Sequence, residues 1–156
     1  MKIVLATRTD IAGMTMLMVR SPLLHRYGVT SAIARRVLLE GIRERDLVLV
    51  ALEDGDVAGL AWTVVTRALD RAAYLRLLLV TEGRQSRGLG AALLLEAERR
   101  ARASGCRHLV LLVTTTNRRA RAFYVRRGYR HVGNLPGFVR PGIGESLYVK
   151  TWAPGR

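Results

Sequence analysis

The chain has 156 residues, 49% of them hydrophobic and 24% charged, the composition of a globular protein long enough to bury a core without staples. Lys and Arg number 26 against 12 Asp and Glu, a net charge of +14 that speaks to partners and solubility but not to fold. No apolar stretch reaches the length of a membrane span, Met1 to Arg8 is too short for a secretory core, and the single Cys106 excludes an internal disulfide and fits a reducing, cytoplasmic compartment.

Ile3, Val4 and Leu5 make a short first strand. Thr9 or Asp10 can cap a helix running through Ala12 and Met16 to Val19, which Ser21-Pro22 ends. The segment from Ser21 to Gly28 interrupts, and Thr30 or Ser31 then starts a second helix with Ile33, Val37 and Leu38 on one face and Arg35, Arg36, Arg43 and Glu44 outside. Two apolar runs, Leu47 to Leu52 and Val57 to Val65, flank Asp54-Gly55, a hairpin signal. A third strand, Ala73 to Val80, completes an antiparallel meander.

That strand stops at a loop carrying Gly83, Ser86, Gly88 and Gly90, after which a Leu/Ala/Glu/Arg pattern begins a helix that runs to about Ser104. A strand feeding a helix through glycines can bind phosphate: the first helical amides have no partner in the chain, the dipole there is positive, and glycines let a pyrophosphate approach the backbone. Gly88 and Gly90 can equally serve close helix-to-sheet packing. Two phosphate motifs fail on spacing. No Lys follows the glycines as a P-loop requires, and Ala91-Ala92-Leu93 follows Gly90 where a dinucleotide fingerprint needs a third glycine. The helix turns Leu89, Leu93, Ala97 and Ala101 inward, and its acids Glu96 and Glu98 pair with Arg100 and Arg102 on a solvated face. His108 to Val113 is a buried strand reached by a parallel crossover, a helix follows Asn117, and Gly128 suits its end. Strand resumes from Tyr129 to Val132. The stretch from Gly133 to Gly144 is too rich in Gly and Pro for regular structure, and Glu145 to Trp152 alternates as a last strand.

What fits the glycine loop is Q-x-x-G-x-G, at Gln85, Gly88 and Gly90, directly after a strand ending in Val80. It resembles the acetyl-CoA pyrophosphate loop of the GNAT acetyltransferase superfamily. Asn117, Ala120, Phe123, Tyr124, Gly128 and Tyr129 then stand where that superfamily has its N-x-x-A-x-x-F-Y-x-x-x-G-[FY] segment. The two signatures together cover residues 74 to 130.

The resemblance implies an α/β fold with a mixed central sheet, antiparallel in its N-terminal meander and parallel at the crossover beside the cofactor, flanked by about four helices in a single domain spanning residues 1–156. It implies N-acetyl transfer from acetyl-CoA to a small-molecule amine or a protein amino group, without a metal. Carried over by position, backbone of Leu78, Leu79 and Val80 pairs with the pantetheine arm. The pyrophosphate meets Gln85, Ser86, Arg87, Gly88, Leu89, Gly90 and Ala91, Asn117 contacts the cofactor, and Tyr124 is the general acid beside the sulfur. His25, Arg26 and Tyr27 become candidate acceptor contacts. The likeness extends to ribosomal-protein N-terminal acetylases, but Leu112 stands where those enzymes use a strand carboxylate. The base is left open between water, Glu53, Glu82, Glu145 and His108. The last strand, with Tyr148 and Trp152, is a candidate surface for a homodimer.

From Arg84 to Arg130 there are 12 Arg against Glu96 and Glu98, so 12 − 2 = 10 of the 14 net charges sit around the proposed cofactor loop. A polyanionic coenzyme would be steered there; so would nucleic acid, as for toxins that acetylate aminoacyl-tRNA. A module that binds acyl-CoA or nucleic acid without catalysis is a further alternative on the same fold.

Overall fold

A computed structural model describes residues 1–85 and 88–153. The hydrogen-bonded strand order is β1-β2-β3-β4-β5-β7-β6, a mixed seven-stranded arrangement. Its strands are β1 (Lys2–Leu5), β2 (Leu47–Glu53), β3 (Asp56–Val65), β4 (Ala73–Val80), β5 (His108–Thr114), β6 (Arg130–Arg140) and β7 (Ile143–Thr151). The longer helices are α1 (Ile11–Val19), α3 (Ser31–Arg43), α5 (Leu89–Ala103) and α6 (Arg118–Arg126). Two short ones join them, α2 (Pro22–Arg26) and α4 (Ala68–Arg71). The chain forms two compact units, residues 1–64 with 77–100, and residues 65–76 with 101–156.

In the first unit, β1, β2 and β3 are antiparallel neighbours. Asp54 and Gly55 close the β2–β3 hairpin with φ of 52° and 87°, the left-handed pair that a two-residue turn of this hand demands. Thr7 and Asp10 form a reciprocal capping box ahead of α1: Thr7 N–H donates to Asp10 Oδ2 at 2.8 Å. Ser21 ends α1 and caps α2, with Pro22 in the first turn where its missing N–H costs nothing. The interrupting segment is thus itself a short helix. Thr30 caps α3 through Ile33 N–H, as expected.

The core of this unit joins Met14, Leu17 and Met18 of α1, Ala34 and Leu38 of α3, Val48 and Val50 of β2, and Leu60 and Trp62 of β3. At about 1.5–3 kcal/mol for each large side chain removed from water, this cluster outweighs any cap. Trp62 gives its indole N–H to Asp46 at 2.8 Å, and Gly41 of α3 lies against its ring, where a Cβ would come to 2.5 Å. The inner face of α3 is therefore Ala34, Leu38 and Gly41. Ile33, expected inside, is exposed.

In the second unit, β4 pairs in parallel with β5 over Ala73–Leu75 against Leu109–Leu111, and β5 pairs antiparallel with β7 along its whole length. The stretch expected to be irregular, Gly133 to Gly144, is instead most of β6 and the start of β7. The physical reason is position: β6 is an edge strand, so Pro136 forfeits no central ladder bond, and register shifts at 131/133 and 136/140 absorb the glycines. Pro141-Gly142 closes the hairpin with Gly142 at φ 82°, the sequence a type II turn requires.

Candidate functional site

β4 ends at Val80, and Thr81 fastens the next turn to β3, donating from its N–H and from Oγ1 to the Ala58 carbonyl at 2.9 and 3.0 Å. Gln85 Nε2 donates back to Val80 O at 3.3 Å, so this side chain braces the loop from inside. Arg84 is ion-paired to Glu53 at the end of β2. The pairing occupies one of the loop's cations and draws Glu53 into structural duty, weakening its claim to be the base. Ser86 and Arg87 lie outside the described residues.

The glycines of the loop have different reasons to be there. Gly88 has φ 80°, a left-handed conformation that side chains resist, and no neighbour within 4 Å of where a Cβ would stand. Gly90 lies inside α5, and a Cβ there would meet only Val80 Cγ2, at an ordinary 3.6 Å. Neither backbone strain nor packing among the described residues asks for glycine at 90. The glycine that lets α5 sit close on the strands is Gly59 of β3, whose Cβ would stand 2.7 Å from Leu93 Cδ1 and 3.3 Å from Leu79 O. Among the described residues the packing explanation thus belongs to Gly59 and not to Gly90. Among the described residues the helical ladder begins with Ala92 N–H on Gly88 O at 3.0 Å, and the amides of Leu89, Gly90 and Ala91 lie in the first turn at the positive end of α5. Leu89 buries its own side chain, 3% exposed, and anchors that first turn.

In the second unit, Asn117 caps α6, its Oδ1 accepting from Ala120 N–H at 3.1 Å and its own N–H donating to Thr114 O at 2.8 Å. Asn117 therefore fixes the direction of α6 with its carbonyl, and its amide Nδ2 is the half able to donate elsewhere. Tyr124 is 8% exposed and stands edge-on to Phe123 and Tyr129, with ring centroids at 5.1 and 5.5 Å. Burial pushes its phenol well above the usual tyrosine range, so Tyr124 holds its proton throughout the neutral and moderately alkaline range. Gly128, at φ 87°, ends α6 and lets Tyr129 return its N–H to Tyr124 O at 3.1 Å. Arg121, one of the clustered arginines, points inward: it donates to Tyr148 Oη at 3.0 Å and to Thr115 O at 3.2 Å. Tyr148, expected on a surface for a second copy, is a core residue, 2% exposed.

The remaining candidates separate by what they touch. His108 shares a hydrogen bond with Thr151 Oγ1 on the adjoining β7, Nδ1 to Oγ1 2.9 Å. Glu82 is exposed in the loop. His25 turns its ring nitrogen onto Val19 O, Arg26 is exposed, and Tyr27 is the half-buried C-cap of α2. Among the carboxylates weighed as a base Glu145 alone is deeply buried, at 3% exposure on β7, while Glu98 of α5, expected on a solvated face, is also buried, at 6%. Among the described residues no His/Cys/Asp/Glu cluster could hold a metal, and no helix is long and apolar enough to cross a membrane.

Residues 16–129 match the model of the acetyltransferase (GNAT) family. A protein of Bacillus subtilis, the uncharacterized YdhI, is 36% identical over 55 residues, which are 35% of this chain and 34% of that protein's length. A GNAT-family protein of Desulfovibrio desulfuricans superimposes with a TM-score of 0.78 at 25% identity, covering 96% of this chain and 99% of the other. The PaiA N-acetyltransferase of Thermoplasma acidophilum, solved in complex with coenzyme A, gives a TM-score of 0.80 at 19% identity, over 97% and 98% of the two chains.

Proposed function

The chain belongs to the GNAT acetyltransferase family, and from that premise we propose that it is an N-acetyltransferase passing the acetyl group of acetyl-CoA directly to a primary amine of a small molecule or peptide. The class is acyltransferase and the co-substrate acetyl-CoA. The observation that carries the reading is Gly90, a glycine in the first turn of α5 that neither φ nor packing among the described residues requires. A diphosphate accepting from the amides of Leu89, Gly90 and Ala91 needs the space a side chain at 90 would fill. On this reading Ser86, Arg87 and Gly88 complete the loop, backbone of Leu78, Leu79 and Val80 aligns the pantetheine arm, and Asn117 meets the cofactor through Nδ2. Residues 1–156 act as one catalytic domain in the cytoplasm.

In the reaction, the acceptor ammonium first loses a proton to water. The neutral nitrogen adds to the thioester carbonyl, the tetrahedral intermediate collapses with cleavage of the C–S bond, and the nitrogen sheds its second proton to water. Tyr124 donates its phenolic proton to the departing thiolate and recovers one from solvent. A phenol ordinarily near pKa ~10 is a weaker acid than a thiol near ~8.5, so the transfer runs uphill on solution values. Its driving force must come from the charge of a thiolate in a water-poor site. Burial keeps Tyr124 protonated at the start of the step but also raises its phenol, which widens the gap that the thiolate's charge has to overcome.

Titration calorimetry with coenzyme A, and release of free thiol from acetyl-CoA with a panel of amines, test the reading. Micromolar association and amine-dependent thiol release are expected. Tyr124→Phe is expected to keep the coenzyme A affinity within about twofold while kcat falls about 10²-fold or more, the range for loss of a positioned acid. No coenzyme A binding at millimolar ligand would overturn the proposal. Unchanged turnover in Tyr124→Phe would remove the acid alone.

A further inference from the structure

One end of the second unit's sheet gathers charge that neither signature motif accounts for. Residues 65–76 and 101–156 hold 14 Lys and Arg against Asp70 and Glu145, so 14 − 2 = 12 of the 14 net charges belong to this unit. Parallel pairing of Ala73 with Leu109 and antiparallel pairing of His108 with Thr151 bring the starts of β4 and β5 to the end of β7. The last turn of α5 arrives at the same place. Ala101 O accepts from the N–H groups of Ser104 and Cys106, both at 3.1 Å, and Gly105 takes the left-handed φ of 85° that turns the chain into β5. Trp152 N–H donates to Arg107 O at 2.9 Å, which fixes Trp152 beside that turn.

Between them is a hollow of about 380 Å³, a volume in the range of small-ligand sites, with Arg102, Gly105, Cys106, Arg107 and Trp152 in its wall. The Arg102 guanidinium lies 5.7 Å from the centroid of the Trp152 ring; Trp152 is half-buried, whereas Arg102 and Arg107 are exposed. Arg71, exposed on the connection into β4, faces the same turn, since the Cys106 thiol is raised by burial and lowered by this guanidinium. Among the described residues none of these three arginines is ion-paired to a carboxylate, and no carboxylate lines the hollow. Forked guanidiniums match phosphate oxygens, and their planes, like an indole, offer a base a surface to stack on. A concave wall that is part cation and part aromatic suits a ligand carrying a planar ring and phosphate together, whereas a bilayer takes up projecting apolar side chains. We infer that this hollow is a nucleotide site for single-stranded nucleic acid: one base enters against Trp152 and Arg102, and the phosphates on either side of it meet Arg107 and Arg71. The charge of the rest of the unit extends the attraction along the strand.

Nothing in this inference depends on the proposed acetyl transfer. Fluorescence anisotropy of a labelled oligoadenylate of about eight nucleotides, inside the span that one such site covers, is followed from about 50 to 200 mM salt, with and without excess coenzyme A. The parent is expected to bind at low salt, with a slope of log K against log salt of about −1.4 or steeper, two phosphates at about −0.7 each. Arg71→Gln and Arg107→Gln, both exposed changes, should each take about 0.7 off that slope. Trp152→Ala should weaken binding about five- to a hundredfold, the range for loss of a stacked base, and Trp152→Phe should restore most of it. The strand should quench tryptophan fluorescence in the parent but not in Trp152→Phe, where the buried Trp62 is the remaining indole. AMP, with no second phosphate to offer, should bind at least about tenfold more weakly than the strand. No association at the lowest salt, an unchanged slope in both arginine variants, quenching that persists in Trp152→Phe, or displacement of the strand by coenzyme A overturns the inference. So does AMP that binds as tightly as the strand, or a protein that partitions onto phosphatidylserine vesicles and leaves the oligonucleotide free.

Discussion

Replacing Gly90 by Ala separates a glycine kept for the chain from one kept for a ligand. The added Cβ stands 3.6 Å from Val80 Cγ2, ordinary contact, so no neighbour among the described residues has to move. Gly in a helix interior costs ~0.8–1 kcal/mol relative to Ala, and a first-turn site recovers part of that. The apo protein is therefore expected to be unchanged or more stable, with a gain of up to ~2–4 °C in Tm at this chain length. Binding should move the other way. A methyl group over the amides of Leu89, Gly90 and Ala91 displaces the phosphate oxygen that accepts there, and a charge-assisted hydrogen bond is worth ~1.5–3 kcal/mol. At ~1.4 kcal/mol per decade, Kd for coenzyme A should weaken about ten- to a hundredfold. Differential scanning fluorimetry of the apo protein and calorimetry with coenzyme A read the two effects separately. A variant with raised Tm and parental affinity would show that the diphosphate is not held at this turn. One with lowered Tm would show that the packing argument at residue 90 is mistaken.

Gly59→Ala should do the opposite to stability: with its Cβ 2.7 Å from Leu93 Cδ1 and 3.3 Å from Leu79 O, overpacking of ~1–3 kcal/mol should lower Tm by several degrees in the same thermal scan. Asn117→Ala removes the cap on Ala120 N–H and should cost ~0.5–2 kcal/mol in a urea titration, most of it restored by Asn117→Asp, which caps equally well. Glu96 bonds Arg99 at 2.7 and 2.8 Å and Arg100 at 2.7 Å, and these guanidinium partners hold its carboxyl down at about 2, against 4.5 unperturbed. A lowered folded value means the contribution is complete above pH 4.5 and disappears as pH falls through 2. Because the pairs lie on the surface, Glu96→Gln should lose no more than ~1 kcal/mol at pH 7, with the difference from the parent closing near pH 2 in paired urea midpoints.

The elements most readable from sequence were those in which local chemistry and burial agree. Asp54-Gly55 between two apolar runs could only close a hairpin, and Leu89, Leu93, Ala97 and Ala101 at helical spacing are all buried on α5. The failures have a common origin in neighbours the chain order hides. Pro22 to Arg26 is too short for a period to register, yet Ser21 and Pro22 start it correctly. Gly133, Pro136 and Gly137 look like loop residues because their tolerance depends on β6 lying at an edge, which only the strand order reveals. At the site, the Q-x-x-G-x-G spacing located the glycine loop, but only the contacts around each glycine distinguished Gly59, Gly88 and Gly90. The pairing of Arg84 with Glu53 joins residues far apart in the chain and gives one candidate base a structural partner that composition could not have revealed. Glu145 was among the base candidates, whereas its burial opposite Thr114 of β5 is visible only in the folded sheet.

The interruptions in β6 also bear on what kind of neighbour this flank of the sheet can accept. Val132, Phe138 and Val139 are more than half exposed on that outermost strand, the kind of side chains that invite another chain to add itself to the ladder. A guest strand needs an unbroken row of amides and carbonyls to copy. The two slips in register and the imide of Pro136 deny it one, so any association through this flank has to use side chains against side chains and cannot grow into a continuous ribbon.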